Sequence, residues 1–187
     1  MSAILSIGTN NGVYVLGETP GEWKLMGEGL YGRQVTCLQP SDSGQLWVGT
    51  AQSGLHLSKD LESFSPVFND LSGHGIYSLV FHPKQSSVIL CGTAPASLHL
   101  SLDSGKKFQE LSALRHHPSA SKWSYPDPPY RARLHRLFLH PTDLDVICAA
   151  VLGGGFYLSG DVGQSWHERS KGLGRLVHDL QGHPLLP

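Results

Sequence analysis

Two stretches decide the fold: Ser101-Leu102-Asp103-Ser104-Gly105-Lys106-Lys107-Phe108 and Ser159-Gly160-Asp161-Val162-Gly163-Gln164-Ser165-Trp166. Each runs serine, any residue, aspartate, any residue, glycine, two more residues and an aromatic. This is the chemistry of a tight turn. The carboxylate accepts main-chain N–H bonds, glycine takes the left-handed backbone, and the aromatic packs under the hairpin. Ser58-Lys59-Asp60-Leu61-Glu62-Ser63-Phe64 is a degenerate copy without the glycine, and Gly17 to Trp23 is more degenerate still.

Outward from these turns the chain repeats. The aromatic recurs as Trp23, Phe64, Phe108 and Trp166, at spacings of 41, 44 and 58. A proline closing an apolar run recurs as Pro40, Pro83, Pro141 and Pro184, at spacings of 43, 58 and 43. A β-rich run ending in a small pair recurs as Ile7-Gly8-Thr9, Val48-Gly49-Thr50, Cys91-Gly92-Thr93 and Cys148-Ala149-Ala150, at spacings of 41, 43 and 57. All three rulers widen together in one interval, which places a single insertion between Leu114 and Leu134. A period near 43 marks a repeat architecture.

Each repeat resolves into four short runs. In the third copy these are Tyr77–Phe81, Val88–Cys91, Leu98–Leu100 and Phe108–Leu111, bounded by Gly, Pro, Ser or Asp. We label them strands a to d. Four antiparallel strands joined by hairpins at this period are the arithmetic of a propeller blade, and no run keeps helical periodicity over three turns. The reading is all-β, a β-propeller of about four four-stranded blades.

The two full turns match the Asp-box pattern, and the chain resembles the Asp-box (BNR) repeat β-propellers of the sialidase, sortilin and WD40-YVTN-like superfamily. The resemblance covers essentially the whole chain. It implies that Ser101, Asp103, Gly105, Phe108, Ser159, Asp161, Gly163 and Trp166 are structural, away from the ligand face.

The first copy begins at strand b, and Val177-His178-Asp179-Leu180 aligns with strand a. The expected domain is therefore residues 1–187, with blades at about 1–30 plus 176–187, 31–72, 73–114 and 134–174, and an insertion at 115–133. A closed four-blade ring is permitted. Propellers of the resembled family more often have six or more blades, so half of a two-chain propeller, or a part of a larger one, stands beside it.

In a propeller the d-to-a and b-to-c connections share one face, and ligand sites favour such axial positions. Six residues before each anchor proline stand Gln34, Tyr77, His135 and His178, all hydrogen-bonding types. Two readings are open: they fix a small ligand, with the histidines titrating near neutrality, or they bond one another and channel water. The insertion overhangs the same face. Its Trp123, Tyr130, Arg131 and Arg133 offer flat and cationic surfaces for a sugar or a partner, and the alternative is a packed loop covering the channel. Arg33, His74 and Arg175 reach that face from the other d-to-a connections.

A sialidase requires an arginine triad, an Asp acid and a Glu-activated Tyr. The Arg-Ile-Pro signature of such enzymes is absent, Tyr77 has no evident Glu partner, and Gly-x-Ser-x-Gly, HExxH and phosphate-loop motifs are missing. The favoured function is non-catalytic binding of a ligand or glycan at the channel face. A protein-interaction scaffold is the alternative, ahead of a glycosidase-type enzyme.

Composition fits this reading. Fourteen basic against fifteen acidic residues give a net charge of −1, without the positive field that draws a chain to nucleic acid. Cys37, Cys91 and Cys148 sit in apolar runs without CxxC spacing and read as buried thiols. No cofactor and no metal are expected. The absence of a signal-like start or an apolar run of about 18 residues leads to the expectation of a cytoplasmic protein with no membrane partner. A homodimer is among the expected assemblies.

Overall fold

The computed structural model describes residues 3–127, 129, 131–143, 145–174 and 176–180. Four sheets follow one another along the chain. The first is β1 (Ile4–Thr9), β2 (Gly12–Thr19) and β3 (Glu22–Gly29); the second is β4 (Val35–Pro40), β5 (Leu46–Thr50), β6 (Leu55–Ser58) and β7 (Ser65–Pro66). The third is β8 (Gly75–His82), β9 (Gln85–Ala94), β10 (Leu98–Ser101) and β11 (Gln109–Leu111). The fourth is β12 (Arg133–Leu139), β13 (Ile147–Leu152), β14 (Gly155–Ser159) and β15 (His167–Glu168). Within each sheet the strands lie in sequence order. The protein is all-β, as the repeat arithmetic requires, and among the described residues the one regular helical turn is the 3-10 segment Ala120–Lys122.

The chain divides into two compact units, one up to Ile76 and one from Tyr77 onward. In the first unit, Val13 and Val15 of β2 pack on Leu46 and Val48 of the second sheet, all buried. Glycines permit this approach. A Cβ on Gly8 would lie 2.6 Å from Val35 Cγ1, and one on Gly27 would strike the Leu61 carbonyl. Gly49 seats Ile76 in the same way, with a hypothetical Cβ 2.9 Å from Ile76 Cγ2.

The second unit repeats the device: Leu134 of β12 lies over Gly92 of β9. Its core gathers Leu90, Leu98, Leu114, Leu134, Ile147 and Tyr157. Gly8, Gly49 and Gly92, the recurring small residues of strand b, are thus the seats of Val35, Ile76 and Leu134.

Three c-to-d turns share one hydrogen-bond scheme. Ser159 Oγ donates to Asp161 Oδ1 at 2.8 Å and accepts from Gly163 N at 2.8 Å, while Asp161 Oδ1 accepts from Ser165 N at 2.8 Å. Ser101, Asp103, Gly105 and Lys107 repeat this within a tenth of an ångström. In the degenerate copy Ser58 and Asp60 do so through Leu61 N and Ser63 N. Phe108 and Trp166 are buried beneath their hairpins, and the Trp166 indole donates to Gly163 O. These bonds to the anionic form hold the Asp161 carboxyl down at about 2, led by the Ser165 hydroxyl and N–H.

The first sheet has three strands. Residues 177–180, which the repeat count assigns to its strand a, carry no strand, and Leu176 makes an isolated bridge to Leu152.

Candidate functional site

The second unit brings together three of the four residues in the polar column. The Tyr77 and His135 rings stand 6.3 Å apart, and those of His135 and His178 stand 6.2 Å apart, nearly perpendicular. His135 sits at a bulge between Leu134 and Arg136, which breaks strand alternation. Its Nδ1 is buried and, among the described residues, has no hydrogen-bond partner.

Burial comes first among the causes that press the His135 pKa down to about 4, followed by the positive charge of Arg136. At neutral pH the ring is therefore uncharged. Arg136 itself donates to Asp179 Oδ1 at 3.1 Å.

Sequence reasoning did not place Tyr125 in this cluster. The Arg133 guanidinium carbon lies 4.9 Å from the Tyr77 ring centroid and 4.5 Å from that of Tyr125, a cation over two aromatic faces. Among the described residues no carboxylate pairs with Arg133. The signal was present in the insertion, whose aromatic and arginine content was noted without a geometry to pair them.

Gln34 belongs to the first unit, where register puts another residue in the equivalent place. The bulge of β4 falls between Val35 and Cys37, so Thr36 is the counterpart of His135. Gly8 seats Val35, Gly49 seats Ile76 and Gly92 seats Leu134, which gives the same alignment. Counting back from prolines slips by two residues because Pro40 is still paired inside β4, opposite Leu46, whereas Pro141 lies beyond the end of β12. The Thr36 hydroxyl donates to Ile76 O. Gln34 instead lines a polar cavity of about 300 Å³ with Asn10, Arg33, Gln52 and Ser53, in which Arg33 donates to Ser53 Oγ.

The insertion is stitched down. The Trp123 indole donates to Tyr157 Oη at 2.7 Å and meets its ring edge-on, and Ser119 Oγ bonds the same oxygen at 2.7 Å. A Cβ on Gly154 would lie 2.9 Å from the indole, so one side of the ring rests on main chain. Ser124 N donates to Gly153 O, and Arg115 pairs with Glu110 at 2.6 Å. Arg131 is exposed; Tyr130 and Arg175 lie outside the described residues. Among the described residues no group of three or more His, Cys, Asp or Glu is arranged to hold a metal ion, and no helix is long and apolar enough to cross a membrane.

No family model and no curated protein matches the chain. Solved structures do. A GH74 xyloglucanase from Xanthomonas campestris aligns at TM-score 0.59 and 16% identity, over 85% of this chain and 28% of that one. YCF48 bound to D1 peptide aligns at TM-score 0.53 and 12% identity, over 78% of this chain and 43% of that one. YCF48 from Cyanidioschyzon merolae aligns at TM-score 0.52 and 16% identity, over 84% of this chain and 50% of that one. The likeness establishes a β-propeller fold, and the chain spans half or less of each of these proteins.

Proposed function

We propose that this chain is a non-catalytic binding propeller of the Asp-box type, whose site is built on Tyr77, Tyr125, Arg133, His135 and His178 and takes a carboxylate-bearing glycan. One observation carries the reading: Arg133 is held over two tyrosine rings while no carboxylate of the described residues neutralises it. A held guanidinium offers parallel N–H donors to a ligand carboxylate. Tyr125 and the exposed His178 supply flat and hydrogen-bonding surface beside it.

The hairpin bonds of Asp60, Asp103 and Asp161 support the Asp-box assignment. Catalysis by a glycosidase route calls for two carboxyl groups across the scissile bond. The carboxylate at this cluster, Asp179, is paired with Arg136.

Screening the chain against oligosaccharides with and without uronic or sialic acid tests the proposal. Retention of the acidic set, weakened at least tenfold by Arg133→Lys, is the expected result; equal binding of neutral sugars, or none of either, overturns it. A second reading has its own support in the YCF48 structure that holds a D1 peptide. A peptide bound with the same dependence on Arg133 would favour a protein partner over a glycan.

A further inference from the structure

The polar cavity beside Gln34 is built by the first unit alone. Gly32, Arg33 and Gln34, which lead into β4, form one wall, and Thr50, Ala51, Gln52 and Ser53, which lead from β5 toward β6, form another; Asn10 of the β1–β2 turn completes it. Hydrogen bonds tie these walls together. Ala51 N donates to Gln34 O at 3.0 Å, and Gly32 N donates to Asn11 Oδ1 at 2.8 Å. Thr50 Oγ1 donates to Gly54 O at 2.9 Å and accepts from Ser53 N at 3.0 Å. The frame of the cavity is therefore held before any ligand arrives, which lowers the ordering cost of binding.

The side chains on this frame keep unused hydrogen-bonding capacity. Arg33 donates through Nη1 to Ser53 Oγ, and among the described residues no carboxylate pairs with it. Ser53 Oγ, accepting from Arg33, retains its own proton to donate. The side-chain amides of Asn10, Gln34 and Gln52 have no hydrogen-bond partner among the described residues.

His56 registers the charge of Arg33. It is buried and pairs with Val48 across β5 and β6, so its ring lies on the face of the second sheet that meets Val13 and Val15. Its Nδ1 has no partner among the described residues, and the Arg33 charge adds to burial in lowering its pKa. A group that neutralises Arg33 is therefore felt at His56.

The lining selects a ligand class. One guanidinium without a second cation matches a single negative charge, a carboxylate rather than a phosphate dianion. Amides and a hydroxyl donate and accept alike, which suits ligand hydroxyls, whereas a bare oxyanion only accepts. No aromatic ring lines the cavity, so stacking plays no part. A volume of about 300 Å³ lies at the lower end for ligand pockets and gives room for one compact molecule.

We infer that the first unit binds a small polyhydroxy carboxylate of the size of one sugar acid, its carboxylate on Arg33 and its hydroxyls on Asn10, Gln34, Gln52 and Ser53. This site shares no residue with the one built on Arg133 and does not rest on it.

The test titrates the 187-residue chain with glucuronate and follows the ring signals of His56 by NMR. The signals move and saturate. Arg33→Gln weakens the affinity about tenfold and Gln52→Ala about threefold, through loss of a charged and of a neutral hydrogen bond. The Gln52 amide bonds nothing among the described residues, so Gln52→Ala keeps the fold even where Arg33→Gln does not. Arg133→Lys titrates as wild type does, which separates this site from the one in the second unit. A His56 signal that glucuronate does not move overturns the inference. So does glucose acting at the same concentration, inorganic phosphate acting at a lower one, or unchanged affinity in either variant of the cavity.

Discussion

Leu134 occupies the space that a side chain on Gly92 would need: a Cβ there would lie 2.7 Å from both the Leu134 Cγ and its carbonyl oxygen, and closer still to Ser78 Oγ. Ser78 uses that hydroxyl to donate to Leu134 O at 2.9 Å, so hydroxyl and glycine together fix how two successive sheets of the second unit meet.

Gly92→Ala should therefore destabilise by about 2–3 kcal/mol through overpacking against main chain that cannot retreat. At the equivalent place in the fourth sheet, Ala150→Gly should cost only about 0.5–1 kcal/mol, from backbone entropy. Urea unfolding of the two variants checks the contrast, and equal effects would show that the glycine is not a seat.

Trp123→Phe removes the indole donor from Tyr157 while Ser119 remains bonded to the same oxygen. A loss of about 1 kcal/mol is expected, with ligand affinity unchanged. A variant of full stability that has lost its ligand would move Trp123 from the packed loop into the binding surface.

His135 gives a pH signature. Its folded pKa of about 4 lies below the 6.5 of the unfolded chain, so protons bind the unfolded state more readily. Stability is complete above about pH 6.5 and declines as pH falls toward 4. Buried His56, whose pKa is lowered first by burial and then by the Arg33 charge, acts in the same direction. Melting curves at pH 7 and pH 5 should differ markedly in wild type and less in His135→Gln; an unchanged gap would count against the assignment.

Asp161→Ala should lower the melting temperature more than Asp103→Ala. Asp161 accepts from both the N–H and the hydroxyl of Ser165, at 2.8 and 2.6 Å, whereas residue 107, in Ser165's place, is a lysine that gives Asp103 only its N–H. The contribution of Asp161 is present above the unfolded pKa of 3.8 and fades as pH falls through about 2, so the difference should vanish in strong acid. Differential scanning calorimetry on the pair, at neutral pH and in acid, is the measurement. A ligand-binding aspartate would leave the melting temperature where it was.

The strands, their order and the three Ser-x-Asp hairpins were legible in the sequence because each rests on contacts within a few residues. Ser159, Asp161 and Gly163 close their turn by themselves, and strand alternation between Gly and Pro breaks needs no distant partner. Strand a of the third sheet, expected at Tyr77–Phe81, runs Gly75–His82, and the insertion expected between Leu114 and Leu134 ends where β12 begins at Arg133. The candidate site was legible only in part. Tyr77, His135 and His178 came from a ruler of prolines that holds for the third and fourth repeats and slips at Pro40, which sits within its strand rather than after it. A one-residue bulge is invisible to spacing and shifts every side chain beyond it.

What the sequence alone determined is the all-β repeat: period, hairpin chemistry, and the small residues of strand b awaiting a neighbour. Tertiary structure alone decided which distant side chains come together. Arg133 lies over Tyr77 from 56 positions along the chain, and neither residue carries a local sign of the other. Hydrogen bonds within a turn are local and leave a motif, whereas burial depends on what other parts of the chain bring into contact, which no stretch of residues records on its own.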